Sequence, residues 1–222
     1  MTITLFYSHF CPPARSALLI AKALKLKLKI EEVDLLSESY KLTPFKRQHP
    51  EKTVPCLKDG NNFVWDSHAI AGYLVNQYGV KSNLIPRNII QKAEVDRLLH
   101  FDSEYLTPLA CDALVPVLFQ RNHLISKSLK KSVGDVYSIL DKQLHNSKWL
   151  IGNDITIADL CCISSISTLD LVIPIEENST LFGYVKNFKE LPYYQEGNQE
   201  GLNIMAELVL NKIISYKYGY IL

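Results

Sequence analysis

"FYSHFCPPARSALLIAKAL", residues 6–24, passes from a strand pattern to a helix pattern through one cysteine and two prolines. Residues 3–7, ITLFY, read as a short strand rich in β-branched and aromatic side chains. From Pro13 onward, Ala14, Ala17, Leu18, Ala21 and Leu24 recur at helical period. Proline suits the first turn of a helix, where the N–H it lacks would have no partner. Cys11 therefore stands at a helix mouth. There the helix dipole favours a thiolate, and a cysteine pKa falls well below its free value of about 8.5. The same field would stabilise the thiolate of a bound ligand, and Tyr7 and Ser8 are neighbouring hydroxyls able to donate to it. The competing reading of Cys11 is a small apolar plug.

Working outward, LKIEEVDL (28–35) alternates as a second strand, and 37–53 is polar and irregular. VPCL (54–57) and FVW (63–65) are short strands around the turn DGNN, followed by a helix, DSHAIAGYLVNQYG (66–79), with an acidic start and a glycine end. Residues 1–80 thus make one α/β unit of order β-α-β then β-β-α. Within VKSNLIPRN, residues 81–88 read as a linker, and from 89 to 222 strand signals largely vanish in favour of helical periods. Leu129, Val133, Val136, Tyr137, Leu140 and Leu144 share one face of a helix. Thr156 and Asp159 have the spacing of a capping box. LNIMAELVLNKIISYKYGYI (202–221) is a final amphipathic helix. The expected architecture is an α/β domain followed by an all-α domain.

Composition narrows the function. With 24 Lys and Arg against 23 Asp and Glu, the formal charge of +1 gives no reason to expect nucleic acid or an anionic membrane as partner. No apolar run approaches the roughly 20 residues that span a bilayer, and MTITLFYSHF has no basic n-region or cleavage site, so no signal peptide is read. The five cysteines are odd in number and lack paired metal-ligand spacing, so no metal is expected and the default is reduced thiols in the cytoplasm. Cys56, Cys111, Cys161 and Cys162 are expected to pack in the interior.

Three more features combine with Cys11. Pro55 enters a strand after a polar loop, as cis prolines do, and would leave the backbone of Val54 as an edge to which an extended peptide can add; an ordinary edge-strand proline is the alternative. Asp66 and Ser67 open a helix, where N–H groups hold a ligand carboxylate and Asp66 accepts from an ammonium, together suiting an α-amino acid head; simple N-capping competes with this. Lys52, two residues before Val54, can meet a second carboxylate or be a solvated charge. Tyr40 and His49 lie in the same irregular region.

These elements in this order resemble the N-terminal, thioredoxin-like domain of cytosolic glutathione S-transferases. PPARSALLIAKAL (12–24), HPEKTVPCL (49–57), DSHAIAGYL (66–74), LLHFDSEYL (98–106) and WLIGNDITIADLCCISSISTLDLVIP (149–174) look like segments of the insect delta/epsilon group, epsilon more than delta. The resemblance implies a thioredoxin-like α/β domain, an all-helical domain, a homodimer, glutathione as co-substrate without a cofactor, and a small hydrophobic electrophile as second substrate. Val54 would pair with the cysteinyl part of glutathione, with Pro55 as the cis proline. Asp66 and Ser67 would bind the γ-glutamyl head, assisted by His68. Phe10, Pro12, Tyr105, Leu109, Phe119 and Met205 would line the electrophile pocket. In that group a serine precedes the proline pair, where this chain has Cys11, and Lys52 stands where a histidine usually meets the glycine carboxylate.

The serine-to-cysteine departure opens two chemistries. Cys11 can stay protonated and donate weakly to a glutathione thiolate that attacks an electrophile, or it can be the nucleophile of a glutathione-dependent thiol transferase or dehydroascorbate reductase. A non-catalytic carrier of hydrophobic ligands is the third reading.

Overall fold

The structure is a computed structural model that describes residues 2–35, 37, 51, 53–119 and 124–218. Tyr40, His49 and Lys52 lie outside the described residues.

Four strands form one mixed sheet in the order β2-β1-β3-β4. β1 (Ile3–Tyr7) and β2 (Leu28–Glu32) are parallel, joined by the crossover helix α1 (Pro12–Ala23). β3 (Cys56–Asp59) pairs antiparallel with β1 and with β4 (Asn62–Trp65). β2 stops at Glu32, short of the expected 35, because its partner β1 ends at Tyr7, opposite Glu32. β3 starts after Pro55 and not at Val54, since proline has no N–H for the ladder. The β3–β4 turn places Gly60 at φ 60°, the first central position that a type II′ turn reserves for glycine. α2 (Ser67–Tyr78) completes this half.

All that follows is helical: α3 (Ile89–Phe101), a π-helical stretch Asp102–Leu106 running into α4 (Thr107–Phe119), α5 (Lys127–Leu144), α6 (Ile157–Asp170), α7 (Thr180–Lys189), and a second π-helical stretch Gln195–Gln199 that leads into α8 (Glu200–Tyr218). Among the described residues no helix is long and apolar enough to cross a membrane.

The core runs without interruption through both halves. Ala14, Ala17, Leu18 and Ala21 of α1 are buried as their spacing predicts. α6 has every residue from Ile157 to Leu169 buried, as a helix at the centre of a fold must. On α5, Val133, Val136, Leu140 and Leu144 are buried, while Leu129 and Tyr137 pack at the margin. α1 approaches the helical half very closely: a Cβ on Gly197 would lie 2.8 Å from Leu19 Cα. Cys56, Cys161 and Cys162 are buried, but Cys111 is exposed, which corrects the expectation for that residue. α4 buries Ala110, Ala113, Leu114, Val117 and Leu118, and Cys111 falls on its other face.

The first turn of α6 is closed by Asp159, which has no exposed area. One carboxylate oxygen accepts from the Thr156 N–H at 2.8 Å and the Thr156 hydroxyl at 2.9 Å, the other from the Leu150 N–H at 2.8 Å and the Tyr184 hydroxyl at 3.3 Å. Burial lifts its pKa to about 6 despite these donors, which pull it down. Asp159→Ala orphans two buried backbone N–H groups and is expected to cost about 2–3 kcal/mol. A thermal melt should show Tm lower by roughly 5–10 °C, with the reactivity of Cys11 at 25 °C unchanged. An unaltered Tm would show that the cap contributes no net stability.

Candidate active site at the mouth of the first helix

After Tyr7 the chain leaves the sheet and reaches α1 through Ser8–Cys11. Cys11 is the N-cap residue, with extended backbone (φ −110°, ψ 107°). Its carbonyl accepts from the N–H groups of Ala14 and Arg15 at 3.0 and 3.1 Å. Pro12 and Pro13 fill the first two helical positions, so two of the N–H groups that a helix mouth normally offers do not exist here. The dipole remains, but the donors expected to meet a thiolate are few.

The Cys11 thiol is half-buried and donates to the Val54 carbonyl at 3.4 Å. The Val54–Pro55 bond is cis. Val54 is therefore not the free edge expected of it, because its carbonyl holds a weak thiol hydrogen bond. Burial pushes the Cys11 thiol up to about 11, outweighing the Ala14 N–H and the Arg15 cation, which pull it down. Tyr7 offers no hydroxyl to this mouth: it is buried, its oxygen meets His9 Nδ1 at 3.2 Å, and burial raises its pKa to about 12.

The second corner is the start of α2. Asp66 caps the helix, its Oδ1 accepting from the N–H groups of His68 and Ala69 at 2.9 and 3.0 Å. The capping reading holds, yet the backbone departs from an ordinary cap: Asp66 has φ 69° and ψ 130°, a region that costs a non-glycine residue about 1–3 kcal/mol. Ser67, the first residue of α2, is buried. His68 turns toward the helical half. Its Nε2 meets Asp102 Oδ2 at 2.9 Å and its Nδ1 meets Ser103 Oγ at 3.1 Å. The Ser103 hydroxyl donates its single proton to the Leu99 carbonyl at 3.1 Å, so it accepts from Nδ1. Both ring nitrogens are then donors, which requires an imidazolium. Burial alone would lower the His68 pKa, but the Asp102 carboxylate overcomes it and the net shift is upward.

Asp102 and Ser103, the two residues that hold His68, have no signal of this role in the sequence. LLHFDSEYL was legible only as a likeness, and no spacing ties an aspartate in mid-helix to a histidine 34 positions earlier. The signal that finds Asp102 is structural: a carboxylate only 3% exposed, in a π-helical stretch.

The expected pocket residues do not all converge. Phe10 packs at the margin of the cluster Leu114, Val117, Leu118, Leu202, Met205 and Val209. Met205 has no exposed area and contacts Arg15, so it packs and presents nothing to a ligand. Pro12 is buried. Tyr105 and Phe119 are 50% and 53% exposed. Leu109 lines a cavity of about 470 Å³ between α4 and α5, together with Cys111, Val115 and Leu129.

Comparison with known proteins agrees with this fold. Residues 5–82 match the family model for the glutathione S-transferase N-terminal domain, and residues 114–196 match that for the C-terminal domain. Glutathione S-transferase 1 of Manduca sexta is 37% identical over 217 residues, spanning 96% of this chain and all of that protein. The epsilon-class glutathione S-transferase of the housefly Musca domestica superposes with a TM-score of 0.90 at 29% identity, over 95% of this chain and 98% of that one. A Drosophila mojavensis glutathione transferase homologue, solved with bound glutathione, gives 0.89 at 28% identity over 95% and 97% of the two chains. A thioredoxin-like sheet closed by α1 and α2, an all-helical second half and these matches over nearly the whole length place the chain in the glutathione S-transferase family.

Proposed function

We propose that the chain conjugates reduced glutathione to small hydrophobic electrophiles with Cys11 as a protonated donor. One observation carries this reading: the Cys11 thiol is hydrogen-bonded to Val54 O and pushed by burial to about 11, so it is not a thiolate at neutral pH. A thiol transferase needs the opposite, a cysteine whose pKa lies below the free value.

Glutathione lies across the mouth in this reading, its cysteinyl part against the backbone of Val54 before Pro55. Its N–H takes the Val54 carbonyl, displacing the Cys11 thiol from a bond that is weak to begin with. The freed S–H turns to the glutathione sulfur. Asp66 has one carboxylate oxygen left over from capping, and it meets the γ-glutamyl ammonium; the Ser67 hydroxyl meets its carboxylate. His68, tied to Asp102, fixes this corner against the helical half. Lys52 serves the glycine carboxylate. The bound thiol loses its proton to solvent, its thiolate accepts from Cys11 and attacks an electrophilic carbon, and a carbon–sulfur bond forms as the leaving group departs. A fall of two units in the bound thiol's pKa amounts to about 2.7 kcal/mol of preference for the thiolate. Phe10, Tyr105 and Phe119 face the electrophile, while Leu109, in the cavity between α4 and α5, does not. We assign 1–80 as the glutathione-binding unit, 81–88 as the linker and 89–222 as the helical unit of a cytoplasmic homodimer that needs no cofactor.

Alkylation tests the state of Cys11. In a Cys111→Ser background, iodoacetamide at neutral pH should modify Cys11 about 100-fold more slowly than a thiol of ordinary pKa, the rate climbing toward a midpoint near 11. A plateau already reached by pH 8 would favour the thiol-transferase reading.

Steady-state conjugation of 1-chloro-2,4-dinitrobenzene tests the donor. Cys11→Ser supplies the stronger O–H donor and should raise kcat/KM several-fold, while Cys11→Ala should lower it. A wild-type protein that accumulates a glutathionyl disulfide on Cys11 and reduces hydroxyethyl disulfide would refute the assignment. Failure to bind a glutathione affinity column would favour the carrier reading.

Asp66→Gly separates site from scaffold. Glycine relieves the positive φ and costs only a few tenths of a kcal/mol as a cap. Tm should hold or rise while the Kd for glutathione, measured by calorimetry, weakens at least tenfold. Unchanged affinity would remove Asp66 from the site.

A further inference from the structure

β3 and α2 both begin near the mouth of α1, and their far ends meet at a second opening. There the β3–β4 turn and the last turns of α2 line a cavity of about 740 Å³, a size typical of sites that hold small organic ligands. Tyr78 stands 11 residues along α2 from Ser67, which at the rise of an α-helix is roughly 17 Å. The two openings are therefore at opposite ends of one helix.

The chemistry of the second opening is that of Asp59, the last residue of β3, and of Tyr73 and Tyr78 from α2. Both phenols donate to Asp59 Oδ2, Tyr73 at 2.7 Å and Tyr78 beside it. The Tyr78 bond and then the Tyr73 bond hold the Asp59 pKa below its ordinary value, and the charge of the amino terminus adds to them. Asp59 is thus a carboxylate at neutral pH. An ionised carboxylate accepts about four hydrogen bonds, so two phenols do not exhaust it. The two rings stand nearly perpendicular, at 80° with centroids 6.3 Å apart. Tyr78 is 37% exposed, so a ligand can reach its ring.

The rest of the lining leaves the charge of Asp59 standing. Gln77, Asn61 and Asn62 contribute neutral amides, Ile3 an apolar wall, and no lining residue is basic. Lys58, next to Asp59 on β3, points to the opposite face of the sheet. Its Nζ lies over the Phe63 ring, 5.5 Å from the centroid. Among the described residues Asp59 makes no ion pair. An anion beside aromatic faces attracts an organic cation twice, by its charge and by the ring quadrupoles.

We propose that this cavity binds small organic ammonium ions, primary amines with an aromatic or aliphatic tail, whose N–H groups pair with Asp59 while the cation rests against the tyrosine rings. The acceptor capacity of the carboxylate favours amines that carry N–H groups over quaternary ones. The site is separate from the mouth of α1 and does not rest on the conjugating reading.

The two phenol bonds also tie the β3–β4 hairpin to α2, and a tie alone needs only an acceptor. Asp59→Asn separates the two roles, because its amide oxygen still accepts from both phenols, and Tm should stay near the wild-type value. Calorimetry on the full chain with 2-phenylethylamine, a cation at neutral pH, should show saturable binding of one amine per chain. Uncharged 2-phenylethanol should bind at least about tenfold more weakly. In Asp59→Asn the amine should lose at least about tenfold in affinity and its advantage over the alcohol should vanish. Tyr78→Leu, at an exposed ring, is the second variant should the first not fold, and it should weaken the amine about twofold to fivefold. Saturating S-hexylglutathione, directed to the mouth of α1, should leave amine binding unchanged. Equal binding of amine and alcohol by the wild-type chain, an amine affinity indifferent to Asp59→Asn, or displacement of the amine by S-hexylglutathione would each overturn the inference. A loss of amine and alcohol alike in Asp59→Asn would reduce Asp59 to a structural tie and overturn it as well.

Discussion

α1 has no free face. One side lies on the sheet, the others against α2, α6 and the π-helical stretch before α8, and the alanines at 14, 17 and 21 let those elements approach closely. A helix enclosed in this way can present chemistry only at its ends. Its C-terminal end turns back toward β2 at Lys25, which has φ 57°. The N-terminal end opens beside the chain that precedes β3. Burial of α1 is thus the constraint that puts Cys11, Val54 and the start of α2 around one cleft, and no separate scaffolding element is needed to hold them there.

Enclosure also sets the electrostatics of that cleft. A thiol at a helix end is usually read as acidic, because the dipole and the first-turn N–H groups favour its anion. Here two first-turn donors are absent, and the sulfur is desolvated by the packing that positions it, so burial dominates and the thiol stays protonated. In the proposed function, the residue in the nucleophile's place is thereby turned into a donor.

How much of this was legible in the sequence depended on whether the relevant physics was local. α1, α2, β1 and the Thr156–Asp159 cap were readable because period, turn chemistry and capping are properties of a few consecutive residues. The ends of β2 and β3 were misplaced because a strand's length is set by its partner. α6 carries almost no amphipathic signal, since it is buried all round, and its helix was found from its cap alone. Cys111 was assigned to the interior by residue type, which ignores which face of α4 meets the core. The cis Val54–Pro55 bond and the helix start at Asp66 and Ser67 are local features that the motifs suggested. The partner of His68 and the unmatched state of Arg15 were invisible, because each is a contact between residues more than 30 positions apart.

The elements that stabilise the fold and those that weaken it are spatially separate. Asp159 is buried with four donors on its carboxylate, far along the chain from the cleft, and closes the central helix. Around the cleft the balance is reversed: Asp66 sits at a positive φ, Arg15 is a buried cation with no carboxylate partner among the described residues, and Asp102 is a buried carboxylate bonded to the His68 imidazolium. Each of these arrangements sets a strained backbone or a desolvated charge against the packing around it. Such costs persist only where the surrounding packing over-determines the geometry, and the enclosure of α1 provides that packing. Concentration of unfavourable terms at one cleft, on a core able to bear them, is the physical mark that sets this mouth, as the candidate site, apart from the cavity between α4 and α5, where apolar and hydroxyl side chains and the Asp112 carboxylate surround one exposed thiol.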